Sequence, residues 1–559
     1  MALAVLVGAG AGVGSIVFRW CIQTFTRLLS GHADYAASPG AGNPHVPWLG
    51  PFFVLVAPVA GGLLYGPLVN RFAREARGHG VPEVMLAVAQ RGGRISPRVA
   101  VVKTLASALT IGSGGSVGRE GPIVQIGSAL GSTLGRLTRA TEGRTKLLVA
   151  CGAAGGIAAT FNAPLAGVFF AMELILGTFS AEAFGATVLS SVTASVIGRA
   201  AFGDDAFLDL PGFHVDHLSQ YGLFALLGVV AAAVGVGFTR FLYLVEDACD
   251  WLWRGPEWLR PAVGGLALGL VLLALPQMYG VGYPVLQKAT EGGYAAGFLL
   301  LLIAGKMLAT SLTIGIGGSG GVFAPSLFIG AMLGSAYGIG AHHLLPASAG
   351  AVGAYALVGM GAVFAGAARA PITAVVILFE LTGEYSIILP LMLAVVLATA
   401  TSRLLCRDTV YTLKLRRRGI DLEGPAPGAA IGTQHVATVM EPLPSPLPST
   451  TPLRDAADLL GLSDHGALPV IDHTGKYLGI VTAQAVAEAL AEQPDAAPRT
   501  VEPLAEPTAS VTTEQPLGKA LHVLLSATGT GVPVLDTERG EPVGWLSHQS
   551  ALRAVHAAT

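Results

Sequence analysis

"GGSVGREGPIVQIGSALGSTLG", Gly114 to Gly135, lies over "GGSGGVFAPSLFIGAMLGSAYG", Gly317 to Gly338, at one constant offset of 203 (321 − 118). Ser116, Gly118, Pro122, Gly127, Gly131 and Gly135 fall on Ser319, Gly321, Pro325, Gly330, Gly334 and Gly338. A second pair follows: "FNAPLAGVFFAMEL" matches "ARAPITAVVILFEL" at an offset of 207 (371 − 164), setting Pro164 on Pro371 and Glu173 on Glu380. Prolines and a glutamate recurring in order are more than Gly-rich apolar segments share by chance, so the chain holds two copies of one plan.

Both copies are written for lipid. Of 559 residues 52% are hydrophobic and 12% charged, and the mean hydropathy is +0.62. Soluble proteins carry about a quarter charged residues, so this is a polytopic membrane protein. Apolar segments recur between residues 2 and 405, yet several fall short of the ~20 residues that cross the hydrocarbon core, and Gly or Pro interrupts them. Broken helices at membrane depth, paired in two halves of a chain, predict an inverted repeat of broken, tilted helices around a polar cavity. The expected halves are about 1–200 and 215–415, within a membrane domain over 1–420.

Charge sets the orientation. "KLRRRG" places Lys414, Arg416, Arg417 and Arg418 beside the last apolar segment, and Arg71, Arg74 and Arg77 precede "GHGVP". Basic residues stay on the cytoplasmic side, so these two places and the C-terminal tail are expected there. The opening "MALAVLVGAGAGVGSIVFRW" lacks a basic n-region and runs on as an amphipathic pattern, which favours a retained first helix and a cytoplasmic N-terminus. A net charge of −2 excludes a field that would recruit nucleic acid. Cys21, Cys151, Cys249 and Cys406 are far apart and suggest neither a disulfide framework nor a zinc site. No metal, no cofactor and no nucleophile/base pair of an enzyme is read from the chain. The Ala/Gly/Arg-rich usage fits a prokaryotic plasma membrane.

Beyond the linker, 421–436 with "GPAPGAA", the pattern changes to alternating strands and helices. "ALPVIDHTGKYLGIVT" (467–482) and "GVPVLDTERGEPVGWLS" (531–547) repeat one plan, each preceded by an amphipathic helix, "PLRDAADLL" and "PLGKALHVLL". The segment 437–559 resembles a tandem pair of CBS domains, an α/β tail. The aspartate that in that family often holds a nucleotide ribose has no counterpart in "GIVTAQAV" or "GWLSHQSA". That puts a nucleotide at the CBS pair in doubt and leaves a structural or dimerising role open.

The breaks carry the chemistry. A helix N-terminus exposes unpaired N–H groups and the positive end of a dipole, so it attracts anions without a full charge. "GREGP" and "GVFAP" both read as helix starts with proline in the first turn. Two such starts meeting near the midplane would hold an anion weakly enough to release it. Glu120 is then a tethered anion: ionised it occupies the site, protonated or displaced it yields to the permeant ion. The plainer reading, a glutamate stabilising its own helix dipole, gives way because an ionisable residue between glycines at membrane depth is functional by default.

With "GHGVP" (Gly78 to Pro82), "GREGP" (Gly118 to Pro122), "GGVFAP" (Gly320 to Pro325) and the tyrosine of "DTVYTLKLRRRG" in order, the chain resembles the CLC family of chloride channels and proton/chloride antiporters. The resemblance implies a homodimer in the lipid bilayer with one anion path per subunit. It implies Glu120 as the gating glutamate. Backbone amides of Val322 and Phe323 and the Tyr411 hydroxyl would bind the central chloride ion, and amides around Arg119 and Gly121 an outer one. Gly78, His79 and Gly80 stand in the first motif, where the family usually has a serine between the glycines. His79 either donates to the anion, making transport pH-sensitive through a group whose ordinary pKa is about 6.5, or turns aside and leaves the Gly78 and Gly80 amides to serve. Antiporters of the family often carry a proton-transferring glutamate at the second place of a Glu-Glu pair after "FNAPLAG". Here Glu173 holds the first place and Leu174 the second. Glu173, about 100° round the helix, is a candidate for the proton path or a structural residue like its mate Glu380. With leucine at the second place the expectation is a passive chloride channel gated by Glu120, the alternative an antiporter with a proton route that bypasses Leu174.

Overall fold

A computed structural model describes residues 1–203, 217–346, 349–421, 434–463, 465–492, 499–527 and 531–558; "GPAPGAA" lies outside the described residues. The chain separates into two units, Met1–Ile420 and Asp421–Thr559.

Among the described residues of the first unit, seven helices are long and apolar enough to cross a membrane, from Ala2–Ser30 to Ile388–Leu405. Others, such as Val81–Gln90 and Tyr283–Thr290, stop partway. The repeat holds at the level of whole elements. Glu120–Leu137 and Phe323–Leu344 start 203 residues apart (323 − 120), and Ala181–Phe202 and Ile388–Leu405 start 207 apart (388 − 181). Helices begin where proline falls in the first turn, since its missing N–H has no intrahelical partner there anyway: Pro82, Pro164, Pro284 and Pro371 all do so.

Contacts between the halves come in reciprocal pairs, the signature of a twofold relation. The Gly118 amide donates to Gly321 O at 2.8 Å and the Gly321 amide to Gly118 O at 2.7 Å. Ser116 N donates to Thr313 Oγ1 at 3.1 Å, and Ser319 N to Thr110 Oγ1 at 3.2 Å. Within each half, neighbouring helices pack backbone to backbone through small residues, as membrane helices do. A Cβ on Gly127 would lie 2.1 Å from Gly152 O, and one on Gly330 2.4 Å from Gly359 O.

In the second unit both hairpins form. Ala467–Ile471 pairs antiparallel with Tyr477–Thr482, and Gly531–Leu535 with Pro542–Ser547, each with an irregularity at the same step near the turn. The charged turns are closed by aspartates: Asp472 Oδ1 accepts from the amides of Thr474 and Lys476, Asp536 Oδ1 from those of Glu538 and Arg539. Trp545 of the second hairpin is fully buried against Ala467 and Ile480 of the first, so one side chain ties the two repeats of the tail together.

Candidate anion site and gate

Three helix starts converge, at Val81, Glu120 and Phe323, and none carries a side-chain cap. Their first amides are therefore donors for something other than the helix itself. Gly-rich loops bring them together by close approach. A Cβ on Gly121 would meet His79 O at 1.9 Å, and one on Gly80 would meet Gly121 O at 2.7 Å. Gly78 N donates to Gly318 O at 3.1 Å and Gly320 N to Gly78 O at 3.3 Å, so "GHGVP" and "GGVFAP" are laced together.

Glu120, 1% exposed, sits at this junction. Its Oε2 accepts from the Ala324 amide at 3.4 Å, in the first turn of the Phe323–Leu344 helix, and its Oε1 from the Tyr283 hydroxyl at 2.9 Å. The carboxylate thus lies at the head of the helix whose first amides are the expected anion ligands. A Cβ on Gly118 would come within 1.9 Å of Oε2, so glycine there is what leaves room for the carboxylate. Arg119 occupies the position before the Glu120 helix without capping it: its guanidinium lies over the rings of Phe161 and Tyr283 and donates to Thr160 O. Phe323 packs edge-on against Phe364 at 4.6 Å between centroids, which fixes the first turn of its helix.

Tyr411 is 1% exposed and is held by its backbone: its amide donates to Thr409 Oγ1, and the preceding Val410 is pinned through its amide to Ala367 O and through its carbonyl to the Tyr243 hydroxyl. The Tyr411 hydroxyl makes no hydrogen bond among the described residues. His79 is wholly buried, and neither ring nitrogen has a partner among the described residues. Its ring packs edge-on against Tyr243, 6.2 Å between centroids.

Glu173 is elsewhere. Its carboxylate accepts from the amides of Ile372 and Thr373 and from the Thr373 hydroxyl, at 3.2, 2.9 and 2.7 Å. Glu380 does the same in reverse, accepting from the amides of Leu165 and Ala166 at 2.9 and 2.7 Å. Each carboxylate caps the helix of the opposite repeat. Leu174 is buried in the core.

Two residues of the site were not singled out from the sequence. Tyr283 belongs to "GVGYP", Gly280 to Pro284, which stands 202 residues (280 − 78) after "GHGVP" and is its repeat mate. Lys306, likewise 203 (306 − 103) after Lys103, is wholly buried and donates to Ser116 Oγ, Gly280 O and Val281 O. Lys103 donates to Ala76 O and Gly78 O at 2.9 and 2.7 Å. Each ammonium draws the carbonyls of its motif loop to itself. The C=O of one residue and the N–H of the next point opposite ways across a planar trans peptide, so the amides are turned away from the lysine.

Comparison with known proteins fits this geometry. The family profile described as voltage gated chloride channel matches residues 61–403. The chain belongs to that family. The CBS domain profile matches residues 436–492. A protein of Ralstonia nicotianae named for its likeness to the chloride channel ClcB is 36% identical over 427 residues, 75% of this chain and 97% of the relative. The H(+)/Cl(-) exchange transporter ClcA of Vibrio cholerae is 35% identical over 421 residues, 74% of this chain and 88% of the relative. Among solved structures, a slow cyanobacterial Cl-/H+ antiporter superposes with a TM-score of 0.68 at 29% identity, covering 75% of this chain and 97% of the other. A eukaryotic CLC transporter at 22% identity covers 98% of this chain with a TM-score of 0.64 and shares the fold. This CLC chain is an integral membrane protein of a transport family and not an enzyme, with a CBS pair after its membrane domain.

Proposed function

We propose that this chain exchanges chloride for protons across the membrane, with Glu120 as the group that alternates between them. The observation that carries the reading is the Glu120 carboxylate at the head of the Phe323–Leu344 helix, accepting from the Ala324 amide. An anion and this carboxylate compete for one set of donors; a proton on Glu120 removes its charge and hands the site to chloride. The amides of Val322 and Phe323 with the Tyr411 hydroxyl bind the central ion, those of Arg119 and Gly121 an outer one, and Gly78, His79 and Gly80 line the approach from the basic face. Relatives and a structural neighbour that are named exchangers support coupling. The second reading, a passive pH-sensitive chloride channel, is favoured by Leu174, which cannot carry a proton. In either case we propose a homodimer with one path per subunit, and the N-terminus and tail in the cytoplasm.

The test uses purified protein in liposomes under a chloride gradient, with a pH indicator. Exchange predicts protons moving uphill with chloride flux; chloride flux with no proton movement would establish the channel. Glu120→Ala should abolish proton movement and leave chloride flux nearly independent of pH. A steep pH dependence surviving in that variant would refute the gate.

A further inference from the structure

Exchange without a glutamate at position 174 leaves the inward leg of the proton path unassigned, and one cavity on the basic side of the membrane unit offers a route. It measures about 210 Å³ and is lined by Arg74, Arg77, Gly78, Glu246, Asp250, Lys414 and Arg418. Space of this size holds several waters at roughly 30 Å³ each. At its wall the Glu246 carboxylate has a buried oxygen, Oε2, without a partner among the described residues. One turn earlier on the same helix, Ser219–Leu252, Tyr243 packs on the His79 ring. Residues three apart share a helix face, so Glu246 and the His79 contact lie on the same side. Gly78, which lines the cavity, is bonded directly to His79, whose two ring nitrogens are likewise buried without a partner among the described residues.

We infer that Glu246 and His79 form the inward proton relay of this chain, taking the place of the missing glutamate at Leu174. The inference rests on the exchange reading above. Protonated Glu246 passes a proton through cavity water to one nitrogen of neutral His79. The ring releases a proton from its other nitrogen towards the anion path and Glu120 and is left neutral as the opposite tautomer; a turn of the ring restores the accepting nitrogen for the next proton, while Glu246 regains a proton from bulk water. No electrons move and no co-reactant is needed.

The charges around the ring tie this relay to chloride. Lys103 Nζ lies 2.7 Å from Gly78 O, Lys414 Nζ would lie 2.5 Å from a Cβ on Gly78, and Arg74, Arg77 and Arg418 line the cavity beside them, countered in part by Glu246 and Asp250 in its wall, by Glu257 paired with Arg77 and by Glu83 paired with Arg418. Adding a proton to His79 amid these cations is opposed by like charge and favoured when an anion stands beside the ring. Proton occupancy and chloride occupancy therefore assist one another, a positive linkage between the two transported ions.

The experiment measures the reversal potential of the full-length protein in liposomes under opposed chloride and proton gradients, which gives the ratio of protons to chloride whatever the total flux. Wild type should reverse away from the chloride equilibrium potential. Glu246→Gln and His79→Ser should each reverse at or near it, with the proton flux per chloride reduced at least tenfold, and Glu246→Asp should restore most of the coupling. Wild type reversing at the chloride potential would sink the exchange reading itself. A coupled wild type with an unchanged ratio in both variants would sink only the relay. So would loss of all ion flux in both, since a relay lesion removes the proton and not the anion.

Discussion

Tyr283 holds one oxygen of Glu120, the proposed gate, while the Ala324 amide holds the other. Its hydroxyl is 2.9 Å from Glu120 Oε1, and its ring stacks under the Arg119 guanidinium, 5.3 Å from the centroid, so the donor is itself held in place. A hydrogen bond to a charged group contributes about 1.5–3 kcal/mol, and ~1.4 kcal/mol is a tenfold change in an equilibrium. Tyr283→Phe keeps the ring and removes the donor. It should shift the balance from the seated to the displaced carboxylate by about tenfold or more, raising chloride flux at neutral pH wherever gate opening is limiting. Stopped-flow chloride efflux from liposomes reads this directly; a Phe variant as slow as wild type would mean the Ala324 amide alone seats the carboxylate. Tyr283 was legible in the sequence only through the 202-residue offset of "GVGYP" from "GHGVP". Those motifs share two glycines and a proline, while His79 faces Val281 and Val81 faces Tyr283, so side-chain chemistry hides a likeness that the backbone keeps.

At the scale of elements, the two carboxylates Glu173 and Glu380 perform one task twice. Each terminates the orphan amides of a helix that begins with proline in the opposite repeat, Pro371 for Glu173 and Pro164 for Glu380. A negative charge at a helix N-terminus is favourable by both hydrogen bonding and dipole. The repeat offset made this pairing readable, whereas the direction of Glu173 was not. The helix from Pro164 widens into π-type turns over Ala171–Leu176, so the simple 100° step per residue does not apply there. Glu173→Ala and Glu380→Ala should each lower the Tm of the purified protein by a few degrees, by similar amounts, and leave the proton-to-chloride ratio unchanged. A ratio altered in the Glu173 variant but not in the Glu380 variant would return Glu173 to the proton path.

At the scale of the molecule, the groups that the proposed transport uses all lie in the membrane unit. Glu120, Tyr283, Lys306, Val322, Phe323, His79, Glu246 and Tyr411 all precede Ile420, where the first unit ends, and among the described residues its main core draws on none beyond Leu413. The tail has its own cores, one per repeat, with Trp545 between them. Composition made this division visible, because lipid and water select different residues. It could not disclose the buried lysines as part of the site, since a lysine in an apolar helix reads alike whether it faces an ion or a carbonyl. Because coupling is a property of the path, a chain ending at Ile420 should reconstitute with the same reversal potential as the full protein under matched gradients, whatever happens to its absolute rate. An altered reversal potential would place part of the proton path in the tail, and the relay through Glu246 would then have to share its role with a residue beyond 420.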